Sequence, residues 1–167
     1  MVRLRRTRAG RWTQGGEIFG IQPGASAPVQ WTDLAAHYGA ARVNGVAVGE
    51  LSWSPNGTRI AFWATAITGA DATANLGTSV IHVLDINTGG INAYCSFTTT
   101  EQTPNPSRLV WSPDGTHIAF AGALPNDTSG YHLLAMDTEL GVITSLSVGV
   151  VSVFGSPDVI AWGNQPP

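Results

Sequence analysis

Leu51-Ser-Trp-Ser-Pro-Asn-Gly-Thr-Arg-Ile-Ala-Phe62 returns 58 residues later as Leu109-Val-Trp-Ser-Pro-Asp-Gly-Thr-His-Ile-Ala-Phe120, with nine of the twelve positions identical. So specific a string does not recur by chance, and a period of this size marks stacked repeats: solenoids, propellers or arrays. The chemistry inside the string is that of a tight turn. Proline presets φ near −65°, Asn or Asp can bond its own backbone, and Gly suits the last turn position. The flanking runs, rich in Trp, Ile and Phe, are too short for helices, so the unit reads as a β-hairpin. A weaker third copy, Ser156-Pro-Asp-Val-Ile-Ala-Trp162, lacks the Gly-Thr pair of the turn and the leading Trp.

Outward from these hairpins the pattern continues. Residues 79–97 alternate strand, Asp/Asn/Gly turn and strand, and 131–147 do the same, with Asp85 matching Asp137 and Gly89 matching Gly141. That offset is 52, so the loop between the two hairpins is six residues shorter in the second copy. Length variation confined to one loop is a mark of repeat architectures. Residues 16–31 read as another second hairpin turning at Gln22-Pro-Gly24. The sequence thus predicts an all-β chain of twelve strands grouped as two, four, four and two. Its parts are an Arg-rich tail (1–15), a second hairpin (16–31), a connection (32–49), blade units 50–98 and 108–148, a first hairpin (151–163) and a tail (164–167). Thr32 and Asp33 are fair N-caps for a helical turn or two within 32–41.

The string Trp-Ser-Pro-Asp-Gly-Thr-x-Ile-Ala-Phe, followed by an apolar strand ending in Asp-x-x-x-Gly, resembles the WD40-like (PD40) repeat of TolB-type β-propellers over residues 16 to 163. The resemblance implies four-stranded blades arranged radially, often six of them, a role in protein–protein interaction, and a periplasmic or extracellular location, although no signal peptide is visible. Two departures stand out: the N-terminal α/β domain of TolB proteins has no counterpart here, and a full ring needs about twice these strands. Physics supports blades independently, because each four-stranded unit must stack its faces on neighbours to bury them. Trp53, Phe62, Trp111, Phe120 and Trp162 are therefore the expected blade core. An unpaired second hairpin and an unpaired first hairpin would leave open edges, which folded proteins normally cover. A homodimer that joins 151–163 of one copy to 16–31 of the other gives six blades of four; the rival is a fragment of a larger propeller.

Composition narrows function. The 167 residues, 43% hydrophobic and 11% charged, fit one compact globular domain. Net charge is −3 and all eight basic residues are Arg, five of them before position 12, so the folded body is not expected to bind nucleic acid. No apolar run is long enough to span a membrane as a helix. Cys95 lies in an apolar stretch and reads as a buried, inert thiol. There is no Gly-x-Ser-x-Gly, His-Glu-x-x-His, phosphate loop or EF-hand pattern, and the four histidines are scattered, so no catalytic residue, cofactor or metal is expected. Loops 65–78 and 122–130 and the connection 32–49 would open on one rim, where binding residues sit on a rigid scaffold. His37, Tyr38, Asp71, Asn75, Asn126 and Asp127 are the candidate contacts there. The expected function is a non-catalytic interaction module presenting rim loops to a protein partner. The alternative is a propeller enzyme, or the severed propeller cap of a prolyl-oligopeptidase-type peptidase.

Overall fold

Ten strands and one short helix run through the described parts of this computed structural model, which are residues 16–38, 46–69, 76–99, 107–124, 130–147, 159 and 161–163. β1 (Phe19–Gly20) pairs antiparallel with β2 (Val29–Gln30), and α1 (Leu34–Tyr38) follows. Then come β3 (Val46–Trp53), β4 (Arg59–Ile67), β5 (Leu76–Asp85) and β6 (Ile91–Thr99), forming one antiparallel sheet in chain order. β7 (Val110–Trp111), β8 (His117–Ala123), β9 (Tyr131–Asp137) and β10 (Ile143–Ser145) form a second sheet of the same order. These are two, four and four strands. The expected first hairpin at 151–163 falls almost wholly outside the described residues, as do both tails.

The turns form as their sequences dictate. The amides of Gly57 and Gly115 each donate to the Ser carbonyl three residues earlier, at 2.9 Å. Both glycines have left-handed φ, +69° and +74°, where a side chain would be strained. Asn56 Oδ1 accepts the hydroxyls of Ser54 and Thr58, and Asp114 Oδ1 accepts those of Ser112 and Thr116. At the outer turns one Asp85 oxygen accepts the amides of Asn87 and Thr88, and one Asp137 oxygen those of Glu139 and Leu140. The carboxylates of the repeat therefore hold backbone.

β4 is apolar on both faces because it is covered on both. Ile60, Phe62 and Ala64 pack with Ile18 and Leu34 from the N-terminal hairpin and helix. Ala61 and Trp63 face the other way, onto Ile118, Phe120, Leu134 and Met136 of the second sheet. The Phe120 ring stands 5.9 Å from Trp63 and 4.9 Å from Phe97, both close to edge-on. Each blade thus turns its Ile-x-Phe toward the preceding unit and its neighbouring positions toward the next. β3 and β7 approach one another, while β6 and β10 lie on the outside.

Three expectations are corrected. β3 begins at Val46, inside the stretch 32–49 read as connection, because buried Val46 pairs with Ala66 and extends the ladder back. Cys95 is exposed, not buried: the β5–β6 register breaks after Tyr94, which pairs with Ile81, and resumes at Thr98, which pairs with Val80. Cys95 therefore sits on a bulge of an outer strand. Trp53 is 41% exposed, although Phe62, Trp111 and Phe120 are buried as expected. Trp111 is covered because its indole N–H donates to the Ser52 carbonyl at 3.0 Å and Arg59 lies 4.7 Å over its ring. Both partners belong to the inner strands of the preceding blade. At Trp53 the preceding unit is the two-stranded β1–β2 sheet, and Trp31, just after β2, meets the ring edge-on at 5.7 Å. Trp162 is half-buried, 6.3 Å from the His117 ring, and is not fully enclosed core.

Candidate binding site between the blades

Chain direction sorts the connections onto two rims. The five-residue turns at 54–58, 86–90, 112–116 and 138–142 close one rim. β4, β6 and β8 end toward the other rim, and β5, β7 and β9 start from it. Between the blades, where β3 and β7 approach, lies a groove of about 460 Å³ lined by Glu50, Leu51, Ser52, Arg108, Leu109 and Val110.

Glu50 and Arg108 are 58 residues apart, each immediately before the Leu that opens its repeat. Equivalent positions in successive blades line the same wall, so the repeat places a carboxylate and a guanidinium on one groove. Glu50 sits at φ +53°, the one non-glycine residue with positive φ among those described. The cause is local: the β3–β4 register shifts between Gly49 and Ser52, and the extra residue takes the left-handed conformation. Such strain in a β-carbon-bearing residue costs about 1–3 kcal/mol and concentrates at functional sites. Arg108 stands two residues before β7. Neither residue was among the sequence candidates. The signal that could have found them is their common place in the repeat with opposite charge; the bulge that exposes Glu50 leaves no mark in the sequence.

The expected contacts His37 and Tyr38 are on α1. Asp33 Oδ1 accepts the Ala36 amide at 3.0 Å, capping the helix, and Glu17 accepts the Leu34 amide at 2.9 Å from the far side of the hairpin. His37 is exposed, with its ring edge-on to Tyr38. Tyr38 points inward, and its hydroxyl bonds the Nε2 of buried His82. His82 Nδ1 lies 2.9 Å from the Val80 carbonyl and so carries the ring proton, leaving Nε2 to accept from Tyr38. Burial holds the His82 pKa below the usual histidine value, the Val80 bond works against this, and the charge of His37 adds to the lowering. His82 stacks on Phe62 at 5.4 Å, and this cluster fastens α1 to the first blade. Asp71, Asn75, Asn126 and Asp127 lie outside the described residues, so the groove and α1 are the parts of the expected rim that have a geometry. Among the described residues no group of three His, Cys, Asp or Glu side chains converges to hold a metal ion, and no helix is long and apolar enough to cross a membrane.

No family model matches the chain, and no curated protein sequence matches it. Solved structures do. An oligogalacturonate lyase in complex with manganese aligns with TM-score 0.53 at 14% identity, covering 81% of this chain and 30% of the lyase. Prolyl oligopeptidase B from Galerina marginata aligns with TM-score 0.51 at 9% identity, over 81% of this chain and 20% of the peptidase. TolB from Acinetobacter baumannii aligns with TM-score 0.49 at 14% identity, over 79% and 26%. The chain spans less than a third of the length of each. At these identities the likeness concerns fold alone, and the fold is that of stacked β-propeller blades.

Proposed function

We propose that this chain is a non-catalytic propeller module that binds a protein partner along its long-loop rim and the Glu50–Arg108 groove. The observation that carries this reading is the groove between β3 and β7, whose lining includes the carboxylate of Glu50 and the guanidinium of Arg108. Rigid blades beneath variable connections are the arrangement in which loops serve recognition. Five of the described carboxylates fit the same reading: Glu17, Asp33, Asp85, Asp114 and Asp137 each accept backbone amides, so their chemistry goes into holding turns and a helix end.

Affinity capture followed by titration of the purified partner tests the proposal. Arg108→Glu reverses a groove charge without touching the core, and replacement of 68–75 by a Gly-Ser linker alters the rim. Both should weaken the complex at least tenfold while the melting temperature stays at the wild-type value. Binding indifferent to both changes contradicts the proposal. So does turnover of a glycan or peptide substrate that disappears in Glu50→Gln, since that outcome makes the groove an active site.

A further inference from the structure

We propose that the cleft between the outer half of the first blade and the 138–142 turn of the second binds a small zwitterion of the α-amino acid type, its carboxylate on Arg59 and its ammonium on Asp85. The cleft has a volume of about 380 Å³, and its lining includes Arg59, Asp85, Thr88, Asn92, Tyr94 and Thr138. It lies at the tight-turn rim and shares no lining residue with the Glu50–Arg108 groove, so this inference stands or falls apart from the proposed function. The warrant is a pair of opposite charges that do not join. Arg59 and Asp85 face each other directly across β4 and β5. At the matching place in the second blade His117 faces Asp137, and the His117 Nε2 comes within 3.9 Å of the carboxylate. Arg59 instead crosses to the second blade. Its guanidinium lies 4.7 Å over the Trp111 ring, donates to the Thr138 hydroxyl at 3.3 Å and donates to the Gly115 carbonyl. Asp85 stays behind, its Oδ1 accepting the Asn87 and Thr88 amides at 2.8 and 3.1 Å.

A guanidinium carries more N–H donors than the bonds to Thr138 and Gly115 use, and the rest have no protein acceptor among the described residues. The Trp111 ring and those two bonds fix its plane, so pairing with a carboxylate costs little further ordering. Asp85 Oδ2 takes no hydrogen bond among the described residues, and an ammonium supplies the donor that Arg59 withholds. Tyr94 ties the two walls together, its hydroxyl donating to the Thr138 carbonyl at 2.6 Å. Burial raises the Tyr94 pKa above the usual tyrosine value, Arg59 and a side-chain bond with Asn92 work against this, and Asp137 adds to it. Two carboxylates, those of Asp85 and Asp137, therefore stand around one guanidinium. That balance disfavours a bare anion and favours a ligand that brings its own cation. Thr88 and Asn92, both exposed, add a hydroxyl and an amide for a small polar side chain.

Titration with L-serine, followed through the NMR amide shifts of Thr88, Asn92, Tyr94 and Thr138, tests it. The cleft opens to solvent, where screening limits each ion pair, so saturation with a dissociation constant in the millimolar range is expected. Glycerate keeps the carboxylate and hydroxyl and lacks the ammonium, and L-serinamide keeps the ammonium and lacks the carboxylate. Each should bind at least tenfold more weakly than L-serine. Asp85→Asn keeps an Oδ1 for backbone amides, as Asn56 does for Thr58, and should also weaken L-serine at least tenfold at an unchanged melting temperature. Absence of saturable shifts with L-serine overturns the proposal. A loss smaller than tenfold from any of these three changes overturns it as well. So does glycerol that moves the same amides with the affinity of L-serine, since that outcome makes the cleft a polyol site.

Discussion

Asp114 and Asn56 occupy the same turn position and make the same contacts, one with a titrating side chain and one without. The Ser112 hydroxyl, followed by the amide and hydroxyl of Thr116, holds the Asp114 pKa down to about 2. A carboxylate whose folded pKa is depressed contributes stability above its unfolded pKa and loses it as pH falls through the folded value. The contribution of this turn should therefore be complete above about pH 4 and vanish toward pH 2. Asp114→Asn should keep the turn, as Asn56 shows it can, and remove that part of the acid sensitivity; thermal melts between pH 2 and 5 read the difference. His82 acts in another window. Its folded pKa is lowered, so its stabilising neutral form is fully present above the unfolded value of 6.5, and stability declines as pH drops below it. His82→Leu, which copies the residue buried at the matching position, Leu134, should flatten the change in melting temperature between pH 7 and 5. An unaltered slope would mean that His82 takes up its proton equally readily in the folded and unfolded chains.

At the scale of strands and blades, the sequence disclosed the hairpins well because their turns are written locally, in Pro, Asx and Gly at fixed positions. It disclosed the core less evenly. Phe120 and Trp111 are buried because each faces the first blade, and Phe62 because Ile18 and Leu34 cover it, whereas Trp53 has the local chemistry of Trp111 and a different neighbour. Burial belongs to the neighbour, and no short string records it. Glu50 and Arg108 were missed for a related reason: a bulge and a blade-to-blade approach create the groove, and both arise from register between distant strands. The outer strand β6 shows the same limit, since its bulge turns Cys95 to solvent. One contact between blades can be tested by adding a single carbon. A β-carbon at Gly122 in β8 would lie 2.4 Å from the Phe97 ring, which is wedged between Trp63 and Phe120. Overpacking of this kind costs about 1–3 kcal/mol, so Gly122→Ala should lower the unfolding free energy by that amount without changing the strand content. A neutral effect would show that Phe97 has room to move.

For the molecule as a whole, stability and shape rest on one relation, the stacking of the second blade on the first. The apolar surface of β4 and β5 packs on Ile118, Phe120, Leu134 and Met136, and removing a fully buried ring such as Phe120 should cost about 3–5 kcal/mol. That stacking also sets the groove, because it brings Glu50 and Arg108 onto one wall, and it defines by contrast what the Trp53 face lacks. The measurement that reaches it most directly is a nuclear Overhauser experiment between aromatic rings in the folded protein. The account predicts cross-peaks from the Trp63 indole to the Phe120 ring, whose centres are 5.9 Å apart, and from Phe97 to Phe120, at 4.9 Å. Assigned, well-resolved rings with no cross-peaks between residues 63 or 97 and residue 120 would contradict it.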